Sequence, residues 1–530
     1  MAAVYTPLQT SATVAPAVSL DSIRSIESDH DENTTDTAKP VSDEGLRKEI
    51  GLLSASSIIV GQVVGSGIFS TPASIALLCG TPYMALILWI VSGVFSLGGA
   101  LASAELGTMF PQNGGMIRYL AHSYPRPRAL VATIMAYSVT FFCRPAAIAA
   151  NVAIFAQYFF FAAGKRDYIE SRDYLLRGIG ALVMTSLMIL NIMSVRWSLR
   201  LLNLFALIKM ATLAIVSVTG FLLMVGAVKR SSGTNWSRGL HGTQLSVRSF
   251  ASAMTRLFWS WEGWSNVGYV VGEVKNVKRN LPLSLGIAMG TLSVLYVFAN
   301  IAYFSTIPLE EIDGTMLAAQ FMDKVFGKTM GQVVLPTCIG ISILGVVMSE
   351  LFGGGRLMYT AGKTGFVPYG AVLGEIHPRF GTPIYAMLII WSLSLVFLFA
   401  PPPGEAFDLL VDLVQEGMWY FYALTAFGTI ILRRRLPNYP LRRFKSPLVL
   451  AFLFGLLSFA LGLLQFYPPA TIPGKEEPKV PYYLAPLLGV IFMALCTVPW
   501  YLRMWRYVNK TGIQLLSWIG EEEQEVLRMG

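Results

Sequence analysis

The feature that most constrains this chain is the length of its uninterrupted apolar runs. Stretches such as 84–104, 201–226, 331–349 and 484–502 each approach the ~20 residues a helix needs to cross the hydrocarbon core of a bilayer. Lipid offers the backbone no hydrogen-bond partners, so only helices or closed barrels span it, and these runs are too continuous for barrel strands. Composition agrees: 13% of the residues are charged, about half the ~25% of a soluble domain, 54% are apolar, and the mean hydropathy is +0.56. The expected fold class is an all-α membrane protein. Twelve transmembrane helices can be placed, at roughly 50–78, 82–105, 129–162, 175–194, 201–226, 250–272, 284–304, 331–354, 384–400, 407–432, 448–466 and 484–505.

The net charge of +9 would suit nucleic acid, but its distribution points to a lipid bilayer instead. One set of alternate loops carries Arg118, Arg126, Arg128, Arg196, Arg200, Lys275, Lys278, Arg279, Arg356, Lys363, Arg379 and the cluster from Arg433 to Lys445. The opposite loops carry fewer basic residues, mostly mixed with acids, as in Lys165-Arg166-Asp167 and Lys475-Glu476-Glu477-Pro478. This bias expects both termini in the cytoplasm; the protein is expected to be a multi-pass protein of the plasma membrane. Loop 227–249, expected outside, fits badly, because it carries Lys229, Arg230, Arg238 and Arg248 with no acid. It also holds the sequon Asn235-Trp236-Ser237, which is expected to be accessible from outside, whereas Asn509-Lys510-Thr511 is expected inside. Residues 1–46 read as a disordered cytoplasmic tail, 47–507 as the membrane domain and 508–530 as a second cytoplasmic tail. No basic stretch followed by an apolar one opens the chain, so no cleaved signal peptide is expected. The four cysteines, Cys79, Cys143, Cys338 and Cys496, have no paired spacing and suggest no disulfide framework.

Two spans are interrupted near their middles. Span 1 reads Ile58-Ile59-Val60-Gly61-Gln62-Val63-Val64-Gly65-Ser66-Gly67-Ile68-Phe69, and span 6 reads Phe258-Trp259-Ser260-Trp261-Glu262-Gly263-Trp264-Ser265-Asn266-Val267-Gly268. Corresponding breaks in two halves of a chain are the pattern of an inverted repeat with a binding site between the halves. A break frees amides and carbonyls, which in lipid need a ligand, an ion or a water-filled cavity. The half-helix starting at Ile68, with the amides of Ser66 and Gly67, would present a helix N-terminus suited to a carboxylate. A side chain at Gly67 would then block the close approach of substrate. The half-helix ending near Trp259 offers carbonyls suited to an ammonium group. Together the two ends match an α-amino acid. The competing reading is that the glycines merely let helices pack closely.

These motifs carry a resemblance. With Glu105-Leu106-Gly107-Thr108-Met109-Phe110-Pro111, Gly114-Gly115, Arg144-Pro145-Ala146, Glu273-Val274-Lys275-Asn276, Arg279-Asn280-Leu281-Pro282 and Arg443-Phe444-Lys445, the breaks make residues 50–507 resemble the amino acid–polyamine–organocation superfamily. Within it the chain is most similar to L-type amino-acid transporters and fungal methionine-permease-like carriers. The resemblance implies a twelve-span fold of five-plus-five inverted repeats, with spans 1 and 6 broken at mid-membrane and no metal or organic cofactor. It implies a secondary-active carrier of amino acids rather than an enzyme, with Val64, Gly65, Ser66, Gly67, Ile68, Trp259, Ser260, Glu262 and Trp419 around the substrate. Animal relatives are disulfide-linked to a single-span heavy chain through a cysteine after span 3. Loop 164–177 has no cysteine, so no disulfide-linked heavy chain is expected.

Charges inside spans are costly, about 3 kcal/mol at the bilayer centre, so each asks for a reason. Lys209 stands where relatives place a lysine in span 5, in the position at which other members of the fold bind sodium. Its ammonium and Ser342 of span 8 would replace that ion at the span 1 break; alternatively Lys209 snorkels to the interface. Glu262, in the second break, either meets a cationic substrate side chain, or takes up and releases a proton during the cycle, or is a structural carboxylate held by freed amides or Arg144. Glu416 lines either the pocket or an outer vestibule. Arg144 and Glu350 read as structural partners near the ends of the cavity. Trp259 is either a gate over the substrate or a packing residue. The fungal resemblance and Glu262 favour proton-coupled uptake of a neutral amino acid such as methionine; a cationic amino acid or polyamine, exchange, and a non-transporting nutrient receptor remain open. A membrane enzyme is disfavoured, since His30, His122, His241 and His377 all fall in the tail or loops and no span carries a metal-ligand or Ser-His-Asp arrangement.

Overall fold

The computed structural model describes residues 46–165, 173–227, 234–237, 239–244, 246–312, 317–400, 405–470 and 481–507, with the side chains of 234, 405–416 and 507 excepted. The expected tails 1–46 and 508–530 lie outside these residues, apart from Leu46, which is fully buried. Among the described residues, Pro82–Met109, Leu130–Ala162, Asp173–Met193, Val195–Met224, Val277–Thr306, Met330–Lys363 and Leu484–Arg506 are helices long and apolar enough to cross a bilayer. Leu52–Val63 and Gly67–Cys79 join as an eighth such span, bent by 44°. Ile384–Phe399 and Leu448–Leu464 are shorter apolar helices, and Val247–Trp261 and Glu405–Arg435 complete the long elements. Large apolar side chains such as Leu182, Leu207, Val218, Val294 and Val449 are exposed on this bundle, the surface expected of a body solvated by lipid. The chain is an all-helical, multi-pass membrane protein.

Local sequence sets where these helices start and bend. Thr81 caps Pro82–Met109 by accepting from the Met84 amide, with Pro82 in the first turn, where its missing N–H costs nothing. Ser194 caps Val195–Met224 through the Trp197 amide, dividing a nearly continuous apolar run into two helices. Pro145 would clash with the carbonyl four residues earlier in a regular helix. The chain widens into a π-helical turn over Val139–Cys143 ahead of it, and Arg144 begins the helix that follows. Pro336 follows a second π-helical turn, Met330–Val334, in the same way.

The bent pair sits at the centre. Leu52–Val63 packs against Val195–Met224, Val277–Thr306 and Leu335–Lys363, while Gly67–Cys79 lies along Val247–Trp261. Buried ionic ties fasten the helix ends around it. Arg356 grips Glu273 through Nε at 2.8 Å, and both side chains are at most 1% exposed. Glu105 accepts from Arg433 Nε at 2.7 Å and from the Ser446 amide at 2.9 Å, with Arg442 at 3.4 Å. Ile50 pairs with the segment after the second break, donating to the Glu273 carbonyl and accepting from the Lys275 amide.

One expectation is overturned. Asn235 is not an accessible sequon, for it is 4% exposed, and its Nδ2 donates to the carbonyls of Phe304 and Ile307 at 2.8 and 2.7 Å. Its Oδ1 accepts from the Leu309 amide, so the side chain satisfies the backbone at the end of Val277–Thr306 and has no free nitrogen for a glycan.

Candidate substrate site

The first break follows directly from its sequence. Val63 ends the first half-helix, Val64 leaves helical geometry at φ −81°, ψ 82°, and Gly67 starts the second half-helix. The carbonyls left over at the end of Leu52–Val63 are claimed by side chains. Lys209 Nζ donates to Gly61 O at 2.5 Å and Val64 O at 2.8 Å, and Ser342 Oγ donates to Val64 O at 2.8 Å. Lys209 is 1% exposed and turned inward onto these carbonyls, not outward to an interface. A cation at a helix C-terminus is favourable electrostatically as well as through its hydrogen bonds. At the other side of the break, the amides of Ser66, Gly67 and Ile68 have no acceptor among the described residues, whereas those of Gly65, Phe69 and Ser70 do.

The second break is equally local. Val247–Trp261 ends as Glu262 turns extended and Gly263 takes φ +118°, a left-handed geometry that only glycine adopts without strain, before a 3₁₀ segment over Trp264–Glu273. The two breaks touch. A Cβ on Gly263 would lie 2.3 Å from Gln62 Cγ, and one on Gly67 would lie 2.9 Å from the Ser260 Cα. Gly67 is therefore pressed against the neighbouring helix, and its lack of a side chain serves packing. Gly65 differs: its nearest neighbour is Val346 Cγ2, 3.8 Å from a hypothetical Cβ.

Between the breaks lies a cavity of about 110 Å³. Gly65, Ser66 and Gly67 line it from the first break, and Trp259, Glu262, Gly263, Ser265 and Asn266 from the second. Arg144 and Asn151 face it from Arg144–Ala162, Glu350 from Leu335–Lys363, and Met418 and Tyr422 from Glu405–Arg435. Glu262 accepts from the Tyr422 hydroxyl at 3.0 Å, and among the described residues no amide or arginine hydrogen-bonds its carboxylate. Arg144 donates to Asn266 Oδ1 at 2.7 Å and lies 3.5 Å from Glu350.

Several residues expected around the substrate stand behind the wall. Val64 contributes its carbonyl to Lys209 and Ser342, Ile68 is fully buried, and Ser260 Oγ bonds Thr71 Oγ1 at 2.9 Å. Trp419 packs edge-on against Phe258, 5.6 Å between ring centroids, while Met418 and Tyr422 on either side of it reach the cavity. Glu416 belongs to the stretch whose side chains are not described. Sequence reasoning did not single out Gln62, Asn151, Asn266, Met418 or Tyr422. Helical spacing was the available signal: Asn151 lies seven residues, about two turns, beyond Arg144, and Met418 and Tyr422 are four apart on one face.

Comparison with known proteins identifies the family. Residues 50–493 match the family model for amino acid permeases. The chain is 30% identical to the high-affinity methionine permease of Saccharomyces cerevisiae over 380 residues, which are 71% of this chain but only 64% of the permease, a little under two thirds. It is 30% identical over 428 residues to the human cystine/glutamate transporter, covering 80% of this chain and 81% of the transporter. It is 30% identical over 492 residues to the mouse b(0,+)-type amino acid transporter 1, covering 91% and 94%. One is named as a permease and two as transporters. The structure is a bundle of membrane helices with two interruptions meeting at one cavity, and a family match across most of the chain names it: this chain belongs to the amino acid permease family.

Proposed function

We propose that this protein is a secondary-active carrier that moves a neutral amino acid such as methionine across the plasma membrane by alternating access, coupled to protons. The observation that carries this reading is the pairing of two helix breaks on one cavity, with the unclaimed amides of Ser66 and Gly67 on one side and Glu262 on the other. The amides form the seat for the substrate carboxylate, and carbonyls at the end of Val247–Trp261 receive its ammonium group. Trp259, on the cavity wall, is the gate. Lys209 and Ser342 occupy the place of a coupling sodium ion, which leaves protons as the coupling ion and Glu262 as their carrier. Twelve spans in two inverted sets of five plus two, termini in the cytoplasm and function without a disulfide-linked heavy chain complete the proposal. The described long helices, taken with the two broken spans, can be arranged in that number, and loop 164–177 has no cysteine. The methionine assignment leans on the yeast relative.

A second reading has its own support. Among the described residues the cavity presents two carboxylates, Glu262 and Glu350, against the guanidinium of Arg144, a balance that also suits a cationic amino acid. One variant separates the two. If Glu262 carries protons, Glu262→Gln abolishes pH-driven accumulation of a neutral amino acid yet leaves exchange between two substrate pools. If it pairs with a substrate cation, the variant loses arginine and lysine by more than a hundredfold, since leaving a desolvated charge unpaired costs about 3–5 kcal/mol, and neutral uptake is spared. Wild-type behaviour for every substrate at every pH would remove Glu262 from both roles.

A further inference from the structure

The cavity contains an arginine whose charge is already engaged. Arg144 Nη1 stands 3.5 Å from Glu350 Oε1, and Arg144 Nη2 donates to Asn266. Glu350 is held on its other sides: Gln62 Nε2 donates to Oε1 and Asn151 Nδ2 to Oε2, each at 3.2 Å. The pair is nearly dry, at 9% and 4% side-chain exposure, and both members line the cavity. Lys209 adds no positive charge to the wall, because its ammonium is turned onto the carbonyls of Gly61 and Val64 behind the first break. The described wall therefore offers a substrate one guanidinium against two carboxylates.

A substrate with a second carboxylate in its side chain needs a free cation in this space. To reach Arg144 it must displace Glu350, which would leave that buried carboxylate without its counter-charge beside a second carboxylate, Glu262. Neutral side chains meet no such obstacle, and cationic ones find complementary charge. We propose that Glu350 is a specificity-determining residue: by neutralising Arg144 across the cavity it closes the carrier to acidic amino acids. The inference rests on the proposed amino-acid transport and deepens it by excluding one class of substrate. A purely mechanical strut between two helices would not produce this selectivity, and the difference can be measured.

The full-length protein is reconstituted in liposomes, and a panel of labelled neutral amino acids identifies the reference substrate. Unlabelled glutamate, glutamine and glutamate γ-methyl ester then compete for its uptake. They share a backbone, and only glutamate carries the second negative charge. In the wild type at least one of the neutral pair is expected to compete tenfold or more better than glutamate. Glu350→Gln, which keeps the shape and some hydrogen bonds, is expected to narrow that ratio at least tenfold and to admit labelled glutamate. Arg144→Gln added to it is expected to cancel the gain. Equal potency or equal failure of all three competitors in the wild type overturns the proposal, because charge then decides nothing. So does a Glu350→Gln protein that carries the reference substrate but excludes glutamate as before, or a double variant that keeps the gain. Should Glu350→Gln not fold, the wild-type comparison alone decides. Absence of any labelled uptake by the wild type would instead defeat the transport reading itself.

Discussion

Gly65 and Gly67 stand two residues apart in the first break, and the structure gives them different tasks. Gly67 faces the backbone of Ser260, so a methyl there must push two helices apart, at about 1–3 kcal/mol for overpacking. Gly65 faces open cavity with Val346 beyond it. Gly67→Ala is expected to lower the yield and melting temperature of folded carrier. Gly65→Val is expected to insert and fold normally but to reduce uptake at least tenfold; equal uptake by a well-folded Gly65→Val protein would remove the span 1 amides from the substrate site. A glycine-x-glycine motif was visible in the sequence, but the division of labour was not, because it depends on which neighbour each missing Cβ would strike. The same limit applied to Trp419. The family resemblance marked the right helix turn, whereas the cavity is reached by Met418 and Tyr422 on either side of it. Lys209 was more legible, since a lone lysine in an apolar run has to find carbonyls or water, and here two carbonyls freed by the break lie within reach.

At the scale of elements, the two breaks behave as one unit. Gly263, at φ +118°, fits only without a side chain and rests on Gln62, while Gln62 in turn holds Glu350. Gly263→Ala is expected to cost about 2–4 kcal/mol, combining backbone strain with overpacking, and to disturb both breaks together. Thermal unfolding in detergent with and without substrate measures both parts: the melting temperature should fall, and the substrate-induced rise should shrink. A normal melting temperature with full substrate protection would show that the left-handed turn is not needed. Sequence placed both breaks well because glycine and polar residues in an apolar helix report directly on backbone that is not helical. It did not reveal that the motifs at the helix ends are structural. Glu105, Glu273 and the residues near Arg443 meet in buried ion pairs and capping bonds whose partners are more than 80 residues away in the chain, beyond the reach of any local pattern.

For the whole molecule, the apolar runs established helices in a bilayer before any contact was known, since lipid leaves the backbone no other choice among long continuous segments. Accessibility was less legible. A sequon in a loop looks exposed by composition, yet Asn235 is folded back as a backbone cap. Whether a proton gradient drives an amino acid through this protein, as proposed, is measured with purified protein in liposomes, an acidic exterior and labelled methionine outside. The expected result is accumulation above the external concentration, collapse of that accumulation on adding a protonophore, and its loss in Glu262→Gln with exchange retained. Methionine that equilibrates without accumulating, unaffected by the gradient or the protonophore, would contradict proton coupling, and failure of every amino acid in a panel to enter would contradict the transport claim.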